Sequence, residues 1–278
     1  MAELTEGKRA VRDVFDRAAP TYDQTGVTFF GLVGRHLVDI AAPRPGERVL
    51  DLGCGLGASA LPAAGRVGPT GHVLGLDLAP AMVAGLAERA RLAGLGQLAA
   101  RVGDADDPDV GEPAWDVVQA SLVLFFLDDL AAALRRHRAL LRPGGRLVHS
   151  WFLHEDSSWD PVHAALVAEV PTTAQGPRRP GGGPFDSVAA MEATMAGAGY
   201  AAVRTEVREV AVTYPDAATW WATMWSHGRR ALLERLEREG LLASTTRLVD
   251  RELARIAAPD GTLSWTSQIA FSVGSVPD

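Results

Sequence analysis

A turn carrying three glycines, Asp51-Leu-Gly53-Cys54-Gly55-Leu-Gly57, follows the short apolar run Arg48–Leu52 and precedes a helix-like stretch from Ala58 to Val67. Glycines at such a turn let the backbone bend sharply and let a ligand approach with no Cβ in the way. The helix that follows offers free N–H groups and the positive end of its dipole. The same alternation continues downstream. His72–Asp77 reads as a strand, Pro80–Gly94 as a helix, and Leu98–Val102 and Asp116–Ser121 as strands. Leu130–Leu141 reads as a helix stopped by Arg142-Pro143-Gly144-Gly145, and Arg146–Trp151 as a fifth strand. Apolar runs separated by helices of this length specify a parallel sheet covered on both faces.

The expected fold is therefore α/β: a Rossmann-like, seven-stranded, mostly parallel sheet with helices on both faces. A helix over Val188–Ala198 and a strand over Val203–Thr213 rejoin it, and Ser264–Val273 alternates as a closing strand. The segments between do not fit that rhythm and read as a helical lid. The expected division is an N-terminal lid at 1–42, a core at 43–154, a lid insertion at 155–184, core again at 185–215, a second helical insertion at 216–258 and a closing strand within 259–278. The tract Gly176–Pro184 lies inside the first insertion. The apolar run Leu122–Leu127 is far too short to span a bilayer and reads as a buried strand and its exit.

Charge narrows the partners. The formal net charge of −7 repels a phosphate backbone, so nucleic acid is not an expected partner. One cysteine, Cys54, excludes a disulfide within the chain and a cysteine-based zinc site. The N-terminus has no apolar signal core, so the expected location is cytoplasmic, without a membrane partner. Homodimerisation is left open.

The glycines alone also fit the dinucleotide fingerprint, as Gly53-x-Gly55-x-x-Ala58. Three acids separate the readings. Asp51 precedes the loop, where an anion would oppose a pyrophosphate but can pair with an ammonium group. Asp77 ends the second strand, where a carboxylate accepts both ribose hydroxyls. Gly103-Asp104-Ala105 follows the third strand, where an acid can accept from an adenine amino group. One anion each for amino end, ribose and base describes S-adenosylmethionine (SAM) better than a nicotinamide dinucleotide.

Taken in order, Val49–Gly57, Gly75-Leu-Asp77, Gly103-Asp104-Ala105, Asp116-Val-Val118 and Leu140–Leu147 resemble the successive motifs of the class I SAM-dependent methyltransferases. The leader Phe15-Asp-Arg-Ala-Ala-Pro-Thr-Tyr22-Asp23 resembles the N-terminal lid helix of their quinone-type, small-molecule branch. The resemblance implies that Asp51, Gly53, Cys54 and Gly55 hold the methionine part of SAM. It places Asp77 on the ribose, Leu78 and Met82 beside the adenine, and Gly103, Asp104 and Ala105 at the adenine edge. Ser121 would lie near the amino group.

Ligands of open α/β sheets bind beyond the carboxyl ends of the strands. With SAM over the first three, the acceptor belongs over the fourth and fifth, whose ends (Ser121–Phe126 and Ser150–Glu155) are largely apolar. Tyr22, Phe29, Phe125, Trp151, Trp159, Trp221 and Trp225 are the expected acceptor-binding side chains, with Phe30, Trp220, Met224 and Arg229 nearby. An aromatic pocket with few polar groups suits a small, flat or apolar metabolite of specialised metabolism. Trp221 and Trp225 are also spaced as core residues on one helix face. Methyl transfer needs alignment and exclusion of water, and a base only if the acceptor proton must leave. His154 and His227 are the candidate bases. His149 is expected in packing, and His163 on a surface helix. His154-Glu155-Asp156 with His163 matches no helical two-histidine motif, so no catalytic metal is expected. The alternatives are the same fold binding SAM for other chemistry, such as cyclisation, and a nicotinamide oxidoreductase.

Overall fold

The computed structural model describes residues 4–111, 114–170 and 183–277. Five strands, β1 (Arg48–Leu52), β2 (His72–Asp77), β3 (Leu98–Val102), β4 (Trp115–Ser121) and β5 (Leu141–Glu155), run parallel. β6 (Ala201–Tyr214) and β7 (Leu263–Ser275) complete one sheet in the order β3-β2-β1-β4-β5-β7-β6. β7 is antiparallel to both neighbours, so the carboxyl end of β6 shares an edge with the ends of β1–β5. The expected seven-stranded, mostly parallel sheet is present.

The strand order reverses between β1 and β4. That opens a crevice at their carboxyl ends, where α/β folds place ligands. Gly53, at the head of the glycine turn, has φ of 64°, and a Cβ there would lie 2.4 Å from the Val123 side chain. Glycine is required on both counts. β4 ends where Leu122 turns left-handed, φ 57°, its N–H donating to Ser150 Oγ at 3.0 Å. Leu124–Phe126 then forms a single 3-10 turn. The expected strand exit is therefore a turn, which stands its side chains over the crevice.

Helices cover both faces: α3 (Ala60–Val67), α4 (Pro80–Leu92), α5 (Leu130–Leu140) and α7 (Val188–Gly197). Their ends follow from local chemistry. Asp129 accepts from Ala132 N–H at 2.9 Å to start α5, and Ser187 accepts from Ala190 N–H at 3.2 Å to start α7.

The lid expectation at 1–42 needs revision. Its first helix, α1 (Glu6–Ala18), does lie over the crevice. Its second, α2 (Phe29–Ala41), packs against the sheet, with Val33, Leu37, Val38 and Ala41 fully buried. A Cβ on Gly34 would fall 2.3 Å from the Ala58 carbonyl, so α2 touches the backbone beside the glycine turn. Arg146 binds the carbonyls of Ala41 and Ala42 and the carboxylate of Glu47, fixing the end of α2 to β5. Its apolar face is seated on the sheet, which makes it core rather than cover.

The other expected cover is α6 (Asp160–Val167) with α8 (Ala217–Trp225), α9 (Arg230–Arg238) and α10 (Leu242–Ile256). Asp216 caps α8 by accepting from Thr219 N–H at 2.7 Å. Glu169, just past α6, accepts from Thr245 Oγ1 of α10 at 3.0 Å. Arg17 of α1 pairs with Glu234 of α9 at 2.6 Å, joining the two pieces of cover. Most of the Gly176–Pro184 tract lies outside the described residues. Among those residues no helix is long and apolar enough to cross a membrane.

Candidate active site

A cavity of about 430 Å³ occupies the crevice, within the size range of small-molecule sites. Its two halves lie over different strands. Over β1, β2 and β3 it is lined by Gly53, Gly55, Asp77, Leu78, Met82, Gly103, Asp104 and Ala105. Over β5, β7 and β6 it is lined by Phe152, Glu155, Trp265 and Tyr214, with Trp159, His163, Trp220, Met224, His227 and Arg229 from the cover. Ser121, Phe125 and Phe126 lie between, and Phe29 and Phe30 at the start of α2 close one side.

The first half is built of backbone turns around carboxylates. Asp77 accepts from Gly55 N–H and from Ala79 N–H, each at 2.9 Å. Burial nevertheless leaves its carboxyl above the usual range. Tyr22 lies over the glycine turn and stacks on Phe30, with ring centroids 5.0 Å apart. Burial, with Asp23 and Asp77 nearby, drives its phenol far above its ordinary value, so it stays protonated.

Asp51 stands apart from the cavity. It is fully buried and accepts from Ser59 Oγ at 2.8 Å and 3.0 Å. Burial pushes its carboxyl up to about 7, and Asp77 nearby adds to the shift. It braces the turn from behind and, unlike Asp77, does not line the cavity. Cys54 is likewise buried and lines only a recess of about 30 Å³ beside the turn. Asp23 and Arg89 also line that recess. Asp23 has φ of 54°, and its Oδ1 is buried without a partner among the described residues. A buried carboxylate oxygen without a partner beside a glycine turn suits a cationic ligand group.

Asp104 is already engaged. Its Oδ2 accepts from Lys8 Nζ at 2.7 Å and its Oδ1 from Asp106 N–H at 2.9 Å. Lys8 also lies 2.9 Å from Asp106 Oδ2. Lys8 was not foreseen from sequence, although Lys8, Val11 and Phe15 recur at helical spacing and all three line the cavity. Met82 does line the cavity but is almost wholly packed, 1% exposed, with Leu56 and Ala79.

Of the expected acceptor residues, Tyr22, Phe29, Phe125 and Trp159 line the cavity, and Trp151, Trp221 and Trp225 do not. Trp151 is fully buried on the opposite face of β5, its indole donating to Ser272 Oγ at 3.3 Å. Strand alternation sends Phe152 to the cavity instead. Trp221 turns outward and donates to Asp250 Oδ1 at 2.8 Å. Trp225 carries the Arg230 guanidinium 5.6 Å above its ring. On α8 it is Trp220, Thr223 and Met224 that face inward.

Of the two expected bases, His227 lines the cavity and His154 does not. His154 is exposed, and its carbonyl accepts from Ser267 Oγ at 3.1 Å. His163, expected on a surface helix, instead lines the cavity with Nδ1 3.6 Å from Glu155 Oε2. His149 is fully buried as expected, and neither ring nitrogen has a partner among the described residues. Tyr214 and Trp265 were also missed. Both sit at the ligand edge because β6 runs parallel to β5 and β7 enters from that edge.

Fold and cavity together define an α/β protein that holds a nucleoside-type ligand at a topological switch point beside an aromatic chamber. Residues 49–145 match the methyltransferase domain model. The chain is 37% identical over 274 residues to nocamycin O-methyltransferase of Saccharothrix syringae, covering 94% of this chain and 96% of that one. It is 44% identical over 140 residues to an aklanonic acid methyltransferase of a Streptomyces strain, covering 50% of this chain and 64% of that protein. Its fold is similar to that of a phosphoethanolamine N-methyltransferase of Haemonchus contortus bound to S-adenosylhomocysteine. There the TM-score is 0.61 at 17% identity, covering 99% of this chain and 61% of that one. The chain belongs to the SAM-dependent methyltransferases and methylates a small molecule. That kinship replaces the nicotinamide reading.

Proposed function

We propose that this enzyme methylates an oxygen of a flat, largely apolar specialised metabolite, held in the aromatic chamber over β5, β7 and β6. The observation that carries the reading is the chamber itself. Trp159, Trp220, Phe29, Phe152 and Trp265 form its walls, and the cofactor half opens directly into it. Oxygen as acceptor atom is supported by kinship along nearly the whole chain to an enzyme whose name states O-methylation. The metabolite is a free small molecule rather than nucleic acid, in keeping with the acidic charge.

SAM supplies an electrophilic methyl group on a sulfonium. The residues present fit it: a carboxylate at the end of β2, a glycine turn without side chains, and the orphaned oxygen of Asp23. Asp77 would hold the ribose, with Leu78, Met82, Gly103, Asp104 and Ala105 around the adenine. Gly53, Gly55 and Ser121 would hold the methionine end. Asp23 would receive the amino group in place of Asp51. Tyr22 and Phe30 exclude water from this half, and the aromatic walls hold the acceptor plane.

The division of labour within the chain follows the same reading. α1, α6 and α8–α10 serve as cover, and α2 belongs to the core. Calorimetry with S-adenosylhomocysteine and with NADH tests the cofactor, and the expected result is saturable binding of the first alone. Incubation with SAM and a panel of polycyclic hydroxy- and carboxy-aromatics then tests the acceptor by mass gain of one methyl group. Methylation only of amines or of ring carbons would overturn the oxygen assignment.

A further inference from the structure

Two polar side chains of the acceptor chamber, His227 and Arg229, are placed to donate to an anion. His227 lines the chamber at the boundary of its two halves. Its ring lies 5.8 Å from that of Phe30, which stacks on Tyr22 over the glycine turn. Its Nδ1 accepts from the backbone N–H of Arg229 at 3.3 Å. In a neutral imidazole the other nitrogen then carries the proton, so Nε2–H is a donor. Burial, with Arg229 adding to it, pushes the ring down to about 4, so it is neutral at pH 7. A ring fixed in this tautomer cannot take a proton at Nε2. It can only give a hydrogen bond.

Arg229 is the second donor. It lines the same chamber, and its guanidinium makes no hydrogen bond or ion pair with any described residue. Its neighbour Arg230, by contrast, is paired with Glu234 at 2.8 Å. Arg229 also stands at the N-cap of α9, whose first turn has no acidic residue. A cation at the positive end of a helix dipole is unfavourable unless an anion joins it. Glu155, the carboxylate of this half of the cavity, lies beside His163.

We infer that the acceptor is an acid already ionised when it binds, a carboxylate or an acidic enol, with Arg229 and the Nε2–H of His227 donating to its oxygens. This rests on the methyltransferase reading above and names the substrate class of that site. The chemistry balances without a base. A lone pair of the anionic oxygen forms the new C–O bond, and the S–C bond breaks with its pair left on sulfur. One negative and one positive charge cancel, and no proton is released. Methylation of a neutral hydroxyl would instead release a proton, for which a chamber base would be needed. His227 is thus an orienting donor rather than the base that its residue type suggests.

The test uses the full chain saturated with S-adenosylhomocysteine, titrated at pH 7.5 with 2-naphthoic acid and with 2-naphthalenemethanol and followed by tryptophan fluorescence. The expected result is at least tenfold tighter binding of the acid. Arg229→Met should abolish that preference while leaving S-adenosylhomocysteine affinity within twofold. His227→Gln, which keeps an N–H donor, should retain more of the preference than His227→Phe. Nitrogen-15 spectra of the histidine rings should show His227 as the neutral Nε2–H form from pH 8 to pH 5. Equal binding of acid and alcohol, binding of neither, or a preference surviving in Arg229→Met would overturn the inference. Failure of S-adenosylhomocysteine to bind would instead strike the underlying methyltransferase reading.

Discussion

Replacing Lys8 by Met tests whether α1 is a cover latched by charge. The Nζ of Lys8 lies 2.7 Å from Asp104, 2.9 Å from Asp106 and 3.7 Å from Asp128. The side chain is 13% exposed, Asp104 16% and Asp106 5%. Met keeps the apolar stem against the cavity and removes only the charge. Exposed pairs contribute about 0–1 kcal/mol, and breaking a buried pair costs about 3–5 kcal/mol. Three groups this far from bulk water fall between, at about 2 kcal/mol, or about thirtyfold in the opening equilibrium of α1.

The pH range of the latch follows from the same contacts. Burial opposes the charge on Lys8, but the bonds to Asp104 and Asp106 outweigh it and raise its pKa. Burial would likewise raise Asp106, yet Lys8, the Asp128 N–H and Arg136 outweigh it and lower its pKa. The raised amine contributes stability that is lost only as pH rises through its folded value. The lowered carboxyl contributes stability that is lost only as pH falls through its own. The latch is therefore intact across neutral pH. Hydrogen exchange should show the amides of α1 opening about thirtyfold more often in Lys8→Met, and S-adenosylhomocysteine should dissociate correspondingly faster. Exchange and dissociation both within twofold of the parent would refute the reasoning.

Four further outcomes follow from the structure. Asp77→Ala should weaken S-adenosylhomocysteine binding by about 1–3 kcal/mol in calorimetry, because ligand hydroxyls lose a charged acceptor. Gly53→Ala should cost about 1–3 kcal/mol in urea unfolding and weaken cofactor binding, with part of both recovered by adding Val123→Ala. Burial lowers His137 to about 4 and His149 to about 3, so below pH 6.5 the unfolded chain takes up protons that the folded chain refuses. Stability should fall steadily from pH 6.5 toward 4, and His149→Leu, which removes two unpaired ring nitrogens, should move the acid midpoint downward. Trp151→Phe should lower Tm with the acceptor KM unchanged, whereas Trp159→Phe should raise that KM.

Much of the fold could be read locally. The strands β1, β2 and β3 begin and end where the sequence places them; central β1 is apolar because it is buried on both faces, whereas edge strand β3 alternates buried and exposed positions. The glycine turn and the ends of β2 and β3 marked the cofactor half, since a parallel α/β sheet leaves only that edge open to a ligand. The acceptor half was less legible. Which aromatic residue turns inward depends on the pleat of β5 and the rotation of α8, which exchange Trp151 for Phe152 and Trp221 for Trp220. α2 carries an apolar face that suits cover or core equally, and only its seat on the sheet decides. Lys8 reaches Asp104 across 96 residues, and Tyr214 and Trp265 meet at the ligand edge through the antiparallel entry of β7. Sequence by itself determined the alternation, the turn and the acids at strand ends, which are short-range properties of backbone and burial. The tertiary structure decided which cations find partners and which rings face the acceptor, because each depends on groups far apart in the chain.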